Sequence, residues 1–301
     1  MSSPASGPKT GGGGFASLAG WDQDDHAAAL AAFLRSVPEG AGRYQGADAL
    51  AAGAAAARHY LERSFELGSP LPGHFTGYFE PELEARATKS DQFPVPIHAQ
   101  PAGGCGLARD EIGTELDPYA IAWLRDEVDR FFLQVQGSGR LSFDGGGGIR
   151  VGYAARNGHP YRSIGRMLVD QGVFTTQEMT ADRLATWLRA DPDRGRAVMN
   201  QNPSYVFFHV AETRATDGPV GAAGCSVTAH RSVAVDPDHH TLGSLLWVET
   251  DGVSRLCVAQ DIGAAIKGPG RLDLFFGTGA DAGLAAGCLN QMGRVIPLLP
   301  K

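Results

Sequence analysis

Residues 245–279 read LLWVETDGVSRLCVAQDIGAAIKGPGRLDLFFGTG, and the architecture turns on them. Two apolar runs, 245–250 and 253–258, flank Asp251-Gly252, a two-residue turn whose backbone twist matches that of a hairpin. Residues 272–276 form another short strand, and outside the stretch 232–235 and 294–299 read the same way. Closely spaced strands of this kind predict a β-rich C-terminal unit of the barrel type. One residue stands out in the apolar run: Asp273, inside Leu-Asp-Leu-Phe-Phe. A carboxylate there is expensive to bury ionised. Either it faces a cleft or holds its proton unusually tightly, as a general acid must near neutral pH, or it lies on the wet side of a half-buried sheet.

Working back toward the N-terminus, the pattern becomes helical. Leu30, Phe33, Leu34 and Val37 predict a helix over 22–37 with acids at its positive end and a stop at Pro38. A second, alanine-rich helix is expected over 47–67, broken by GSPLPG (68–73) before a strand at 74–79. Residues 132–136 alternate, so a strand is expected there. Residues 141–143 and 149–153, either side of a glycine-rich turn, predict a hairpin. Ile164, Met167 and Leu168 mark a helix ending at Gly172, and Thr175 with Glu178 has the spacing of a capping box for the next one.

Composition bounds the answer. A chain of 301 residues exceeds one comfortable core, so two domains are expected. Glycine (41) and proline (18) make about a fifth of the chain, which is turn-rich but not disordered. A net charge of −7 argues against a nucleic-acid partner. No apolar run is long enough for a transmembrane segment. Residues 1–14, MSSPASGPKTGGGG, lack the order of a secretory signal and read as a flexible leader. Cys105, Cys225, Cys257 and Cys288 form no C-x-x-C pair and are expected as small core residues, with bridges among the last three left open.

Several motifs fail on context. Residues 277–282 match a dinucleotide fingerprint, but no acid follows Asp281 to hold a ribose. Residues 263–268 have phosphate-loop spacing with Pro269 where lysine belongs, and His239-His240 is expected in a solvated turn. What remains is polar density without a metal pattern: Gln136, Ser138 and Gly139 at one strand end, Asn157 and Tyr161 in an aromatic loop, and Thr76, Tyr78 and Glu80 on one strand face. Amides, hydroxyls and rings lining a cleft suit a sugar, although taken singly each residue is better read as a cap or turn.

FTGYFEPELEA (75–85), FFLQVQGSGRL (131–141), VGYAARNGHPYRSIGRMLVDQG (151–172), NQNPSYVFF (200–208) and the 259–279 stretch together resemble the membrane-bound lytic transglycosylase A family, over about residues 70–300. Asp236, Asp261 and Asp273 match the acids of its C-terminal three-aspartate module. The resemblance implies a mainly β fold with flanking helices, α+β overall. A double-psi β-barrel domain (15–79 and 207–301, with the module at about 220–300) would carry an inserted second β-domain (80–206), and glycan would bind in the groove between them.

The implied reaction cleaves the β-1,4 bond between N-acetylmuramic acid (MurNAc) and N-acetylglucosamine (GlcNAc) in peptidoglycan. No water is added, so a 1,6-anhydroMurNAc end remains. Ordinary glycosidases need two carboxyl groups. If the sugar's own C6 hydroxyl attacks, one carboxyl serves twice, and Asp273 is expected as that acid and then base. Asp261 is expected beside it, raising its pKa or orienting it, and Asp236 as a structural acid. Thr76, Gly77, Tyr78, Gln136, Ser138, Gly139, Asn157 and Tyr161 are the expected groove residues, with no cofactor and no metal. Where a family pattern has two tyrosines after Thr-Gly, this chain has Tyr78-Phe79, and the loop from Lys267 through Pro269-Gly270 to Asp273 is slightly longer than usual. The resemblance implies a periplasmic enzyme, associated with the outer membrane where a lipoprotein signal anchors it. The family's common signal and anchoring cysteine do not stand in this chain, so either they were removed or export is expected through a signal not seen here. A β-1,4-glycan hydrolase on the same barrel, or a non-catalytic expansin-like wall-binding module, are the alternatives.

Overall fold

The computed structural model describes residues 14–37, 43–214 and 216–301. The leader expected over 1–14 lies outside these apart from Gly14, as does the helix stop expected at Pro38. The chain divides into two compact units: residues 1–77, 221–275 and 289–301 form the first, residues 78–220 and 276–288 the second. No helix among the described residues is long and apolar enough to cross a membrane.

In the first unit, helix α1 (His26–Ser36) begins where Asp25 accepts a 2.9 Å hydrogen bond from the Ala28 amide, an acid at the positive end of the helix. The helix expected over 47–67 is two helices and a strand. α2 (Arg43–Ala51) and α3 (Ala54–Ser64) part at Gly53, whose φ of 101° no right-handed helix accepts. Strand β1 (Phe65–Leu67) follows, drawn from the helix by pairing Phe65 with Pro300 and Leu67 with Leu298. Strand β2 (Leu71–Glu80) then leads out of the unit.

The second unit builds a sheet in the order β4-β5-β3-β6-β7-β8 from β3 (Glu82–Arg86), β4 (Val95–His98), β5 (Ala120–Leu124), β6 (Ser138–Phe143), β7 (Gly148–Arg156) and β8 (Val206–Ala211). The hairpin expected from 141–153 is β6 and β7, with Gly145, Gly146 and Gly147 all at positive φ in its turn. β8 pairs with β7 from Val206 to Ala211, so this unit runs on past residue 206. Residues 132–136, expected as a strand, end helix α4 (Glu127–Gln136). Asp126 caps it by accepting from the Asp129 amide at 2.8 Å, and Gly137 closes it in the left-handed region. Val128 and Phe131 of α4 pack on Ile164 and Leu168 of α5 (Ile164–Asp170), Leu184 and Leu188 of α6 (Ala181–Ala190) and Met199 of α7 (Pro192–Met199). Thr175 and Glu178 do exchange capping bonds, but in the turn before α6, whose own cap is Thr180.

Glu80, 0% exposed, anchors this unit's entry and exit. It accepts from Arg140 Nε (3.1 Å), Arg150 Nη2 (3.1 Å) and Thr278 Oγ1 (2.7 Å). Removing one partner of such a buried ionic cluster costs about 3–5 kcal/mol.

The chain returns through β9 (Ser232–Val235), β10 (Leu245–Thr250), β11 (Ser254–Ile262), β12 (Arg271–Thr278), helix α8 (Ala280–Cys288) and β13 (Asn290–Pro300). The ring β13-β10-β11-β9-β12-β2 closes on itself through β13 and β2, register Asn290↔Thr76 to Val295↔Leu71, giving a six-stranded barrel with β1 beside β13. The Asp251-Gly252 hairpin forms as expected, Leu245 opposite Val258. β9 runs parallel to β11. Trp247, Leu256, Val258 and Ile296 bury one barrel surface against Leu30 of α1 and Leu61 of α3. Each such side chain contributes about 1.5–3 kcal/mol.

All four cysteines are free thiols, so the bridges left open among Cys225, Cys257 and Cys288 are not formed. Cys257 is buried as expected of a core residue, but Cys288 is exposed at the end of α8.

Candidate active site

β12 enters the barrel over Gly270, where any side chain would bring a Cβ to 1.9 Å from the Pro72 carbonyl oxygen. That carbonyl belongs to β2, so the Pro269-Gly270 loop is a close fit of backbone to backbone. Asp236 holds the loop from below, accepting from the Gly268 amide at 2.7 Å and Lys267 Nζ at 3.2 Å. The Gly268 amide in particular holds the Asp236 carboxyl below the usual aspartate range. His240 adds a 2.6 Å bond between Nε2 and the Pro269 carbonyl. The expected solvated His-His turn is thus half correct: His239 is exposed, whereas His240 is buried by its grip on this loop.

Along β12 the faces alternate. Leu272 and Leu274 are buried, while Arg271 and Asp273 share the other, half-buried face. On β2, His74 and Thr76 lie likewise. Thr76 Oγ1 donates to Asp273 Oδ1 and accepts from Arg271 Nη2 at 2.8 Å. Its hydroxyl is thereby oriented: with the oxygen occupied by a guanidinium, the hydrogen points at the carboxylate. No hydrogen bond reaches Asp273 Oδ2 from the described residues.

Although part of its surface is open, Asp273 is closely surrounded by protein, and burial pushes its pKa above the ordinary aspartate range. The Thr76 hydroxyl and the Arg271 charge pull it back, and the Asp261 charge adds to the rise. Asp261 sits on β11 at the bulge against β9, where its Oδ1 accepts from the Ala222 and Ile262 amides at 3.1 and 2.9 Å.

The expected site residues therefore divide. Thr76, Gly77, Asp236, Asp261 and Asp273 belong to the first unit, with Thr76 and Asp273 in direct contact. Tyr78, Gln136, Ser138, Gly139, Asn157 and Tyr161 belong to the second. There Gln136 Oε1 accepts from the Phe79 amide at 3.1 Å, and Tyr78 and Ser138 are buried. Gly139 is needed for packing: a Cβ would lie 2.4 Å from Leu133 Cδ1. Asn157, expected at the glycan, has its amide fully occupied. It donates to the Leu107 and Pro203 carbonyls (2.7 and 2.8 Å) and accepts from the Tyr205 amide (2.9 Å), tying three loops together. Burial pushes the Tyr161 hydroxyl pKa up.

Sequence reading missed Arg271, His74 and Asn290, the last two joined at 2.7 Å. Arg271 was within reach, two residues before Asp273 and so on the same strand face. Asn290 was not, because the β2–β13 pairing brings it to His74 across 216 residues.

The family profile described as the MltA specific insert domain matches residues 106–209, and that of the 3D domain matches residues 231–299. The membrane-bound lytic murein transglycosylase A of Escherichia coli K12 is 35% identical over 237 residues, 73% of this chain. The chain spans 64% of the length of that curated relative. Among solved structures, a membrane-bound lytic murein transglycosylase from Agrobacterium tumefaciens is 30% identical with a TM-score of 0.82, covering 96% of each chain. Escherichia coli MltA with bound chitohexaose is 30% identical with a TM-score of 0.77, covering 91% of this chain and 90% of that one.

Proposed function

This chain belongs to the membrane-bound lytic murein transglycosylase A family, and from that premise we propose that it cleaves the MurNAc–GlcNAc β-1,4 bond of peptidoglycan without water, with Asp273 as the single acid and base. The observation that carries the reading is Asp273 itself: a carboxyl whose pKa is raised by burial, fixed through Oδ1 by Thr76, with Oδ2 left for substrate.

Protonated Asp273 gives its proton to the glycosidic oxygen as the MurNAc C1–O bond breaks, and positive charge develops at C1. The Asp273 carboxylate left behind stabilises that charge. It then accepts the proton of the C6 hydroxyl as that oxygen bonds to C1, which closes the 1,6-anhydro ring and restores the acid. No atom of water enters. Thr76 serves both halves by holding the carboxyl plane, and Arg271 holds Thr76. Asp261, with Oδ1 engaged by two backbone amides, tunes Asp273 by charge. Asp236 and His240 seat the loop that leads into β12. Murein glycan strands are the substrate partner, and the periplasm is the compartment where they lie.

The test is digestion of purified murein sacculi with mass analysis of the released fragments. Anhydro-ended fragments, lighter by one water than their hydrolytic counterparts, are expected. Reducing-end fragments would mean a hydrolase in which Asp261 activates water, and binding without release would mean a wall-binding module.

A further inference from the structure

We propose that the second unit carries a carboxylate-binding site built on Arg109, Arg130 and Arg196. These side chains line a cavity of about 100 Å³ together with Glu127, Asp110 and Asn200. Arg109 is 8% exposed, its Nε and Nη2 donating to the Asn202 and Ser204 carbonyls at 3.0 and 2.6 Å. Its guanidinium lies 4.9 Å from the Phe131 ring and 5.4 Å from that of Tyr205. Among the described residues no carboxylate pairs with it, and Nη1 has no protein acceptor.

The neighbouring charges do not make up the deficit. Arg196 takes Glu127 at 2.9 Å, and Arg130 reaches that same carboxylate only at 3.8 Å. Arg130 also lies over the Tyr205 ring, at 5.6 Å, with its Nε buried and unbonded. Asp110 is exposed and makes no ion pair among the described residues. Three guanidiniums thus line the cavity with two carboxylates, Asp193 acting on Arg196 from outside the lining, and the most deeply buried cation is the one without a paired carboxylate. Burial, with Arg130 adding to it, draws the Arg109 pKa down to about 10, which leaves it charged at neutral pH. A buried cation without an anion is unfavourable, and a bound anion relieves it.

The geometry narrows the ligand. Guanidinium forks match planar oxyanions. An excess of one positive charge suits a monoanion, since Glu127 and Asp110 repel a dianion such as phosphate. The cavity is well below the roughly 300 Å³ at which pockets for larger ligands begin, so it admits a carboxylate end and not a sugar ring. Two sources offer that group: an acidic peptide stem of murein, or a free small carboxylate. The first source rests on the function proposed above, whereas the site itself does not.

The test titrates the full chain with the dipeptide L-Ala-D-Glu and with sodium acetate, following heat and the Arg109 Nε–Hε resonance. Saturable binding with a shift of that resonance is expected, weakened at least tenfold in Arg196→Gln and Arg130→Gln. Turnover of peptide-free glycan should be unchanged in both. Arg196 is largely exposed, so its variant keeps the fold and the readout. Tighter binding of the dipeptide assigns the site to stems, and equal binding assigns it to free carboxylates. No binding of either probe, or binding undiminished in both variants, overturns the proposal. Because the assay needs no catalysis, binding by a protein inactive on sacculi would refute only the reading of Asp273.

Discussion

Thr76→Val is the sharpest probe of how the proposed acid is held. Valine keeps the shape of the β2 position but removes one hydroxyl with two jobs, accepting from Arg271 Nη2 at 2.8 Å and donating to Asp273 Oδ1. A hydrogen bond to a charged group contributes about 1.5–3 kcal/mol. If all of it acts in the transition state, turnover falls roughly 10- to 150-fold. The pH profile carries the more specific signature. The Thr76 hydroxyl favours the carboxylate and lowers the Asp273 pKa, so its loss favours the protonated form. Because the acid works protonated, activity falls as pH rises through its pKa, and in Thr76→Val this descending limb moves to higher pH. Clearance of sacculi suspensions, followed across a pH series with kcat and KM separated, reads both effects. Thr76→Ser, which keeps the hydroxyl, should restore rate and limb together. Full turnover in Thr76→Val with an unmoved limb would refute the reasoning.

Three further outcomes are expected. Asp261→Asn removes the like charge that raises the Asp273 pKa, so the descending limb should move to lower pH with turnover retained; loss of turnover would instead favour Asp261 as a water activator. His98 is buried, bonded through Nδ1 to the Tyr205 hydroxyl at 2.8 Å, and burial takes its pKa down to about 4. As pH falls from about 6.5 to 4 the unfolded chain takes up a proton that the folded one refuses, so about 3 kcal/mol of stability should be lost and His98→Gln should flatten the loss. Urea melts at pH 7 and 4.5 decide this, and equal acid sensitivity in both proteins would contradict it. Gly139→Ala forces a Cβ to 2.4 Å from the fully buried Leu133 and should destabilise by about 1–3 kcal/mol in the same melts; an unchanged midpoint would show that Leu133 yields freely.

The barrel was legible because its signals are local. Asp251-Gly252 between two apolar runs marks a hairpin, although neither residue takes a positive φ and the Thr250 hydroxyl holds the turn, and Asp273 stands out as a charge in an apolar strand. Reading failed where the decisive window was longer than the motif or the partner was distant. Residues 132–136 alternate in isolation, but the cap at Asp126, the buried Val128 and Phe131 and the closing Gly137 make them the last turns of a helix. Phe65 to Leu67 became a strand because Leu298 and Pro300 were there to pair with. At the site, the carboxyl was readable and its partner Thr76 was readable as a strand-face residue. Their contact spans 197 residues and needed the barrel to close. Asn157 shows the limit of such reading, because a polar loop residue looks the same in sequence whether its amide faces a cleft or, as here, is bonded to two backbone segments.

The central claim is that one carboxyl, Asp273, does the work of two, and Asp273→Asn tests it most directly. Since burial raises the Asp273 pKa, the protonated form's stabilisation is lost as pH rises through that pKa, so an uncharged amide should melt no lower than wild type at neutral pH. With folding and sacculus binding retained, release of anhydro-ended fragments should fall by roughly 10²- to 10⁴-fold, the usual contribution of a positioned acid–base group. A folded Asp273→Asn protein that releases these fragments at the wild-type rate would contradict the account.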